Sequence, residues 1–205
     1  MGHQLEDTTK KREELSPETI ITLKSNSVAA NVDDVGAVID ILLDTGLRIS
    51  ECAGLMWTDV HLEEDIPYIS ITQHPHRSLK TKSSARDIPL VGRALAQLNQ
   101  RQRQAYKSKF VFPRWNKRGI TNGNSVSASV NKRLRKLESN ISAHSLRHTF
   151  VTRMRDVEAP LEVIQYILGH RIPGEAMTGG YGSKKLLGLK HRYILMIAAF
   201  DAQTS

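Results

Sequence analysis

The apolar positions of this chain recur mainly three or four residues apart, the spacing of helices with one buried face. A stripe of five aliphatic residues within positions 35–43 predicts a helix, with two aspartates at its start and Gly46 just past its end. Ser16 and Pro17 predict the start of an earlier helix, because serine caps helices and proline fits their first position. Further helices are predicted at about residues 47–56, 91–106, 123–138, 144–157, 160–168 (ended by Gly169) and 184–200.

Two short segments have the β-branched and aromatic content of strands instead. Residues 66–72 (IPYISIT) and 86–90 (RDIPL) predict two strands, and residues 74–82 between them predict a hairpin or a small third strand. The sequence therefore predicts a single domain over residues 16–205 that is mainly α with a small antiparallel β-sheet. The polar residues 1–15 are expected to form a tail or linker.

Composition narrows the class of protein. No apolar run approaches the roughly 20 residues that cross a bilayer, and the N-terminus lacks the apolar core of a secretory signal. The single cysteine, Cys52, excludes an internal disulfide and fits a reducing compartment, so a cytoplasmic protein is expected. Cys52 lies in an apolar stretch, which predicts core packing rather than a nucleophile.

Positive charge is concentrated in one part of the chain. The net charge is +8, and residues 101–155 contain 14 lysines and arginines against one acid, Glu138. This asymmetry indicates a basic face for a polyanion, most simply nucleic acid. A basic surface that is merely solvated is the alternative.

Three places in the sequence combine residues suited to phosphate chemistry. Arg48 follows a helix in a tight connection, with Glu51 positioned to orient it or its backbone. His144 and Arg147 share one face near a predicted helix start, where the helix dipole favours an anion. A metal site at His144 and the histidine four residues later is the rival interpretation, which the nearby arginine disfavours.

The third place is His170, followed by Tyr181 in a glycine-rich segment. A histidine at a helix end and a tyrosine between glycines are each weak signals. In combination, the order of these residues resembles the tyrosine recombinase (phage integrase) family over about residues 16–200. The boxes that carry the resemblance are TGLRISE, HSLRHTF and LGH followed by a tyrosine, with LMWTDV and KTKSSARDIPL at the family's small sheet and lysine-bearing hairpin.

The resemblance implies the catalytic domain of a DNA breaking-rejoining enzyme that acts on double-stranded DNA. Arg48, Arg147 and His170 would hold the scissile phosphate with His144 beside them, and Tyr181 would form a 3′-phosphotyrosyl link. A hairpin lysine would protonate the 5′-oxygen. Lys80 is favoured for this role and Lys82 is the alternative, while Tyr193 is the alternative nucleophile. The predicted catalytic residues are therefore Arg48, Lys80, His144, Arg147, His170 and Tyr181, and Glu51 and Lys82 are predicted to support them.

The resemblance implies no metal, no other cofactor and no membrane association. Full-length members are expected to act as tetramers on DNA, whereas this chain lacks room for the family's N-terminal core-binding domain and could be monomeric. Two other functions stay open at this point. One is a type IB topoisomerase, which would use the same residues to relax supercoils. The other is a DNA-binding module without catalysis, which the full set of charged and nucleophilic residues disfavours.

Overall fold

The computed structural model describes residues 14–28, 33–77, 84–104, 108–170 and 183–203, and these ranges hold eight α-helices and two small antiparallel sheets. The helices are α1 (Pro17–Val28), α2 (Asp34–Thr45), α3 (Ile49–Ala53), α4 (Gly92–Arg103), α5 (Gly123–Leu134), α6 (Ala143–Asp156), α7 (Leu161–Leu168) and α8 (Ser183–Gln203). The strands are β1 (Val60–His61), β2 (Tyr68–Ile71), β3 (Arg86–Pro89), β4 (Asn116–Lys117) and β5 (Ile120–Thr121). The predicted fold class, mainly α with a small antiparallel sheet, is confirmed.

Helix α2 is the centre of the core, and its two ends are as predicted. It packs against α1, α3, α4, α5 and α6, so nearly all of its residues are buried. Asp33 caps its start, where Oδ1 accepts from the Gly36 N–H at 2.9 Å. Gly46 ends it with φ +63°, and a Cβ on Gly46 would overlap the ring of Phe150. The chain therefore turns sharply after α2 and leads into α3.

The three-stranded sheet has the order β1-β2-β3, with both pairs antiparallel. Its register aligns Val60, Ile69 and Ile88, which are all buried. The antiparallel pair β2–β3 fits the predicted hairpin. The third strand is β1, which the sequence analysis assigned to no strand, and the predicted segment 74–82 shows only a His74–Arg77 bridge in its described part.

Two further elements differ from the sequence predictions. Helix α3 was predicted over residues 47–56 but spans only Ile49–Ala53, because the chain after Gly54 pairs with another segment. There, the Leu55 carbonyl accepts from the Val111 N–H at 2.9 Å, and Met56 bridges to Phe110. The β4–β5 hairpin was not predicted at all.

The C-terminal helix completes the core beside strand β3. Helix α8 packs against β3, α6 and α7, with Ile194 and Ile197 buried. Cys52 is fully buried, as predicted, and burial raises the pKa of its thiol. Among the helices in the described ranges, none combines the length and apolar character needed to cross a membrane.

Candidate active site

A pocket of about 440 Å³ opens where the starts of α3 and α6, the side of α5 and the end of α7 meet. It brings together four of the predicted site residues: Arg48, His144, Arg147 and His170. The other lining residues are Leu47, Ile49, Ser127, Asn131, Ser142 and Ala143. The described lining thus presents two guanidiniums and two imidazoles and no carboxylate. The remaining predicted residues, Lys80, Lys82 and Tyr181, lie outside the described residues.

Arg147 is held by the C-terminal ends of two helices. Its Nη1 donates to the carbonyl of Gly46 at 2.6 Å, just after α2, and its Nη2 donates to the carbonyl of Leu168 at 2.9 Å, the last residue of α7. Nη2 also lies 3.2 Å from Nε2 of His170. Burial, with the positive charge of Arg48 acting in the same direction, lowers the pKa of Arg147 to about 10. The helix carbonyls therefore compensate a cation that the surroundings otherwise disfavour.

Glu51 holds Arg48 through both its backbone and its side chain. The Arg48 N–H donates to Oε2 at 2.9 Å, and Arg48 Nη1 donates to Oε1 at 3.0 Å. This carboxylate is almost completely buried, at 3% exposure. Burial opposes its ionisation, but hydrogen bonds from Arg86 and from the Arg48 backbone outweigh burial, so the pKa of Glu51 lies below its usual value. Arg48 is thus fixed at the pocket rim with its side chain still 27% exposed.

Arg86 is a member of this network that the sequence analysis missed. Its Nη2 and Nη1 donate to the Glu51 carboxylate at 2.8 and 3.2 Å, and its side chain is only 4% exposed. Its Nε donates to the Ile167 carbonyl at 2.6 Å, so strand β3, helix α7 and Glu51 meet at one guanidinium. A Cβ on Gly169 would come within 2.9 Å of that guanidinium, which adds to the requirement for glycine there. An arginine in a short strand gives no sequence signal for such burial.

The start of α6 is fixed by side chains that lie at the pocket. Asn131 Oδ1 of α5 accepts from the Ala143 N–H at 2.8 Å, and Ser145 Oγ accepts from the Ser142 N–H at 3.1 Å. His144 in the first turn is exposed, and its ring packs edge-to-face on His148 with centroids 4.5 Å apart. The helix start therefore presents His144 and Arg147 to the same pocket.

Comparison with known proteins identifies the family of this chain. A family model described as the phage integrase family matches residues 18–181. The chain belongs to the phage integrase family. As a member, it is 28% identical over 177 residues to the tyrosine recombinase XerD of Lacticaseibacillus casei, covering 80% of this chain and 58% of that protein. The chain thus spans little more than half the length of this curated relative.

Solved structures similar to this integrase-family chain show the same fold. The Tn1549 transposon integrase in complex with a circular intermediate DNA has a TM-score of 0.63 and 22% identity, covering 90% of this chain and 63% of that chain. The XerH site-specific recombinase bound to its difH substrate has a TM-score of 0.58 and 21% identity, covering 84% of this chain and 51% of that chain. The expected tyrosine recombinase catalytic-domain fold is therefore confirmed.

Lys190 is a further buried cation of this integrase-family chain, and it contacts strand β3. Lys190 of α8 is 4% exposed, and its Nζ donates to the carbonyl of Asp87 at 2.9 Å, next to Arg86 in β3. Burial lowers the pKa of Lys190 to about 8, with Arg86 acting in the same direction and Asp87 opposing it. The sequence analysis predicted a helix here but gave Lys190 no role.

We expect Lys190 to make stability depend on pH. Its pKa in the folded chain lies below the unfolded value of 10.5, so its charge costs stability below about pH 8 and the loss is recovered as the pH rises towards 10.5. Between pH 7 and 10.5 the free energy of unfolding of the parent should rise by about 3 kcal/mol relative to Lys190→Met. Urea denaturation followed by tryptophan fluorescence measures this difference.

Lys185→Met, at an exposed position of the same helix, is the matched control and should run parallel to the parent. A constant difference between the parent and Lys190→Met across this pH range would show that Lys190 is not buried as an ammonium.

Proposed function

We propose that residues 16–205 form the catalytic domain of a site-specific DNA recombinase, with Tyr181 as its nucleophile. The observation that carries this proposal is the meeting of Arg48, Arg147, His144 and His170 at one pocket of about 440 Å³. These residues come from three separate parts of the chain. Two guanidiniums in a partly buried pocket suit a phosphodiester whose negative charge grows during attack. The DNA complexes of the Tn1549 integrase and of XerH support duplex DNA as the substrate.

The reaction is a transesterification at phosphorus. The Tyr181 oxygen attacks the scissile phosphate while His144 accepts its proton, because a tyrosine with an ordinary pKa near 10 needs a base. The bond to the 5′-oxygen breaks, and Lys80, or alternatively Lys82, donates a proton to that oxygen. Arg48, Arg147 and His170 stabilise the pentavalent transition state.

The product is a 3′-phosphotyrosyl link and a free 5′-hydroxyl. Attack by a 5′-hydroxyl from another strand reverses the chemistry and joins new partners. Because the covalent link conserves the phosphodiester energy, rejoining needs no ATP. One tyrosine cuts one strand, so exchange between two duplexes requires four active sites, and we infer a tetramer of the full-length protein on DNA.

A trapping experiment tests the proposal. The chain is mixed with a pool of short duplexes of random sequence, each nicked at a fixed position so that a cut near the nick releases a fragment and prevents rejoining. Covalent adducts that survive denaturation are digested with trypsin. The five tyrosines fall in five different tryptic peptides, and Tyr181 lies in the peptide of residues 172–184. We expect the covalently attached DNA to be found on this peptide.

Every outcome of this experiment is informative. An adduct on residues 193–205 would make Tyr193 the nucleophile. Binding of the pool without any adduct would favour a DNA-binding module. The DNA recovered from the adducts distinguishes the enzymes, because a recombinase enriches one sequence whereas a type IB topoisomerase leaves the pool nearly random.

A further inference from the structure

Arg77 is the last described residue before the segment that carries Lys80 and Lys82. We refer to residues 78–83, which lie outside the described residues, as the lysine segment. The side chain of Arg77 is buried at 3% exposure, although arginine is almost never fully buried in proteins unless it is paired. The proposed reaction gives this buried cation no role, so its partners are of interest.

Three acceptors surround the Arg77 guanidinium. Its Nη1 donates to the backbone carbonyl of Glu51 in α3 at 2.9 Å, and its Nη2 donates to the carbonyl of Thr72 at 3.0 Å, just after β2. Nη2 also lies 3.7 Å from Oδ2 of Asp59. A Cβ on Gly54 would come within 2.8 Å of the Arg77 side chain, so the absence of a side chain there makes room for it. Arg77 therefore ties the chain that follows β2 to helix α3.

The backbone around Arg77 is fixed as well. Residues 74–77 form a tight turn, in which the His74 N–H donates to the Arg77 carbonyl and the Arg77 N–H donates to the His74 carbonyl, both at 3.2 Å. Within the turn, Nε2 of His76 lies 2.9 Å from the carbonyl of Gly54 at the end of α3. The lysine segment thus begins from a point that several contacts hold in place.

Arg86 holds the other end of the lysine segment. Its Nη1 donates to the carbonyl of Ser84 at 2.6 Å, and its Nη2 donates to the carboxylate of Glu51 at 2.8 Å. Arg77 uses the backbone carbonyl of the same Glu51. Both ends of the lysine segment are therefore attached to Glu51, the residue that also holds Arg48 at the pocket rim.

Stability alone gives little reason for an arginine at position 77. Burial lowers the pKa of Arg77, while the carboxylates of Asp59 and Glu51 oppose this effect, so the charge is only partly compensated. Replacing a buried ion pair with apolar side chains of similar volume is often neutral or stabilising. A guanidinium differs from such side chains in that its planar fork binds two acceptors at fixed angles. Arg77 therefore provides precise placement of the chain rather than favourable burial.

We propose that Arg77 is a positioning residue for DNA cleavage, which holds the lysine segment so that Lys80, or alternatively Lys82, reaches the 5′-oxygen. The lysine then gives its proton to that oxygen as the bond between phosphorus and oxygen breaks. Arg77 itself is too deeply buried to contact the DNA. Lys80 is only three residues away along the chain, so a displacement of Arg77 is passed on to it. The inference rests on the proposed function, since it takes a lysine of this segment as the proton donor.

A leaving group that needs no proton tests the inference. Duplexes of the sequence recovered by trapping carry either the ordinary 5′-oxygen or a bridging 5′-sulfur at the cut. Sulfur leaves as a thiolate, which is a much weaker base than an alkoxide and needs no proton donor. We expect Arg77→Met to cleave the ordinary duplex about a hundredfold more slowly than the parent in single-turnover measurements, because a displacement of about 1 Å can cost that much. It should cleave the sulfur duplex at nearly the parent rate.

A double-mutant cycle shows whether Arg77 acts through the lysine. Lys80→Ala should show the same selective loss on the ordinary duplex, and Arg77→Met/Lys80→Ala should be no slower than Lys80→Ala alone. If Lys82→Ala shows the selective loss instead, Lys82 takes the place of Lys80 in the cycle. Losses that multiply in the double variant would mean that Arg77 acts independently of the proton donor, which would overturn the inference.

Two further variants separate positioning from stability. Arg101→Met removes another buried arginine, which pairs with Asp34 on α2, and should keep the parent's ratio of the two cleavage rates. Arg77→Lys keeps the charge but cannot donate to both carbonyls, so it should show the selective loss even if Arg77→Met fails to fold.

Two results would overturn the inference and leave the proposed function standing. One is equal slowing of both duplexes by the Arg77 variants, and the other is the parent rate on both. A parent that forms a covalent adduct with neither duplex would overturn the proposed function itself, and the inference with it.

Discussion

Replacing Arg147 with alanine should slow DNA cleavage by about a thousandfold. Arg147 lies in the pocket with its Nη2 next to His170, so its loss removes a donor from the place where negative charge develops. Buried donors of this kind act at low effective dielectric and need no reorganisation during the reaction, which makes each one costly to remove.

The same change should have a much smaller effect on stability. Alanine leaves the carbonyls of Gly46 and Leu168 without their donor, at a cost of about 1–3 kcal/mol each. In the other direction, burial and the positive charge of Arg48 lower the pKa of Arg147 to about 10, so removing the cation returns about 3 kcal/mol. The two effects partly cancel, and we expect the free energy of unfolding to change by no more than about 3 kcal/mol.

Single-turnover cleavage of the DNA sequence recovered by trapping measures the cleavage rate. Urea denaturation measures the free energy of unfolding. Arg155→Ala is the matched control, because it is an exposed arginine on the same helix α6, far from the pocket. Arg147→Lys keeps the charge but cannot reach both helix carbonyls, so it should also cleave slowly. Cleavage by Arg147→Ala within tenfold of the parent, with a folded protein, would remove Arg147 from the reaction.

The sequence predicts the parts of this fold that local chemistry determines. Gly46 and Gly169 both end helices with φ above +60°, as their positions after apolar stripes indicated. These two ends also position the carbonyls that hold Arg147. The resemblance to the family predicted that Arg48, His144, Arg147 and His170 lie close together. It did so from the order and spacing of the family's motifs along the chain, which need no knowledge of the fold.

The rest depends on contacts between distant parts of the chain. Arg86 reaches the carbonyl of Ile167, 81 residues away, and Lys190 reaches that of Asp87, 103 residues away. No local pattern distinguishes such cations from surface ones. Likewise, the predicted extension of α3 was wrong because Leu55 pairs with Val111, and two-residue strands such as β1 and β4 are too short to show a period.

Replacing Glu51 with glutamine should destabilise the chain by about 3–5 kcal/mol, because it breaks a buried ion pair from one side. The carboxylate accepts from both Arg48 and Arg86, and the side chains of Glu51 and Arg86 are each 4% exposed. Glutamine has nearly the same shape but leaves the Arg86 guanidinium without a counter-charge. Urea denaturation at neutral pH measures the loss, and Glu162→Gln, at an exposed position, should show none.

The effect has a defined pH dependence. The pKa of Glu51 in the folded chain lies below its usual 4.5, so its ionised form contributes stability above pH 4.5, and this contribution is lost as the pH falls through the lower folded value. The difference between the parent and Glu51→Gln should therefore narrow in acid. A difference independent of pH would mean that packing, and not charge, is what the substitution disturbs.

A double variant separates stability from catalysis. In Glu51→Gln/Arg86→Met neither partner of the buried pair is left charged, so much of the stability should return. Arg48 would still lack the carboxylate that holds its guanidinium at the pocket rim, and a misplaced catalytic group can cost about a hundredfold in rate. We therefore expect a stable protein that cleaves slowly. If cleavage returned together with stability, Arg48 would need no positioning by Glu51, and the network around Glu51 would serve the fold alone.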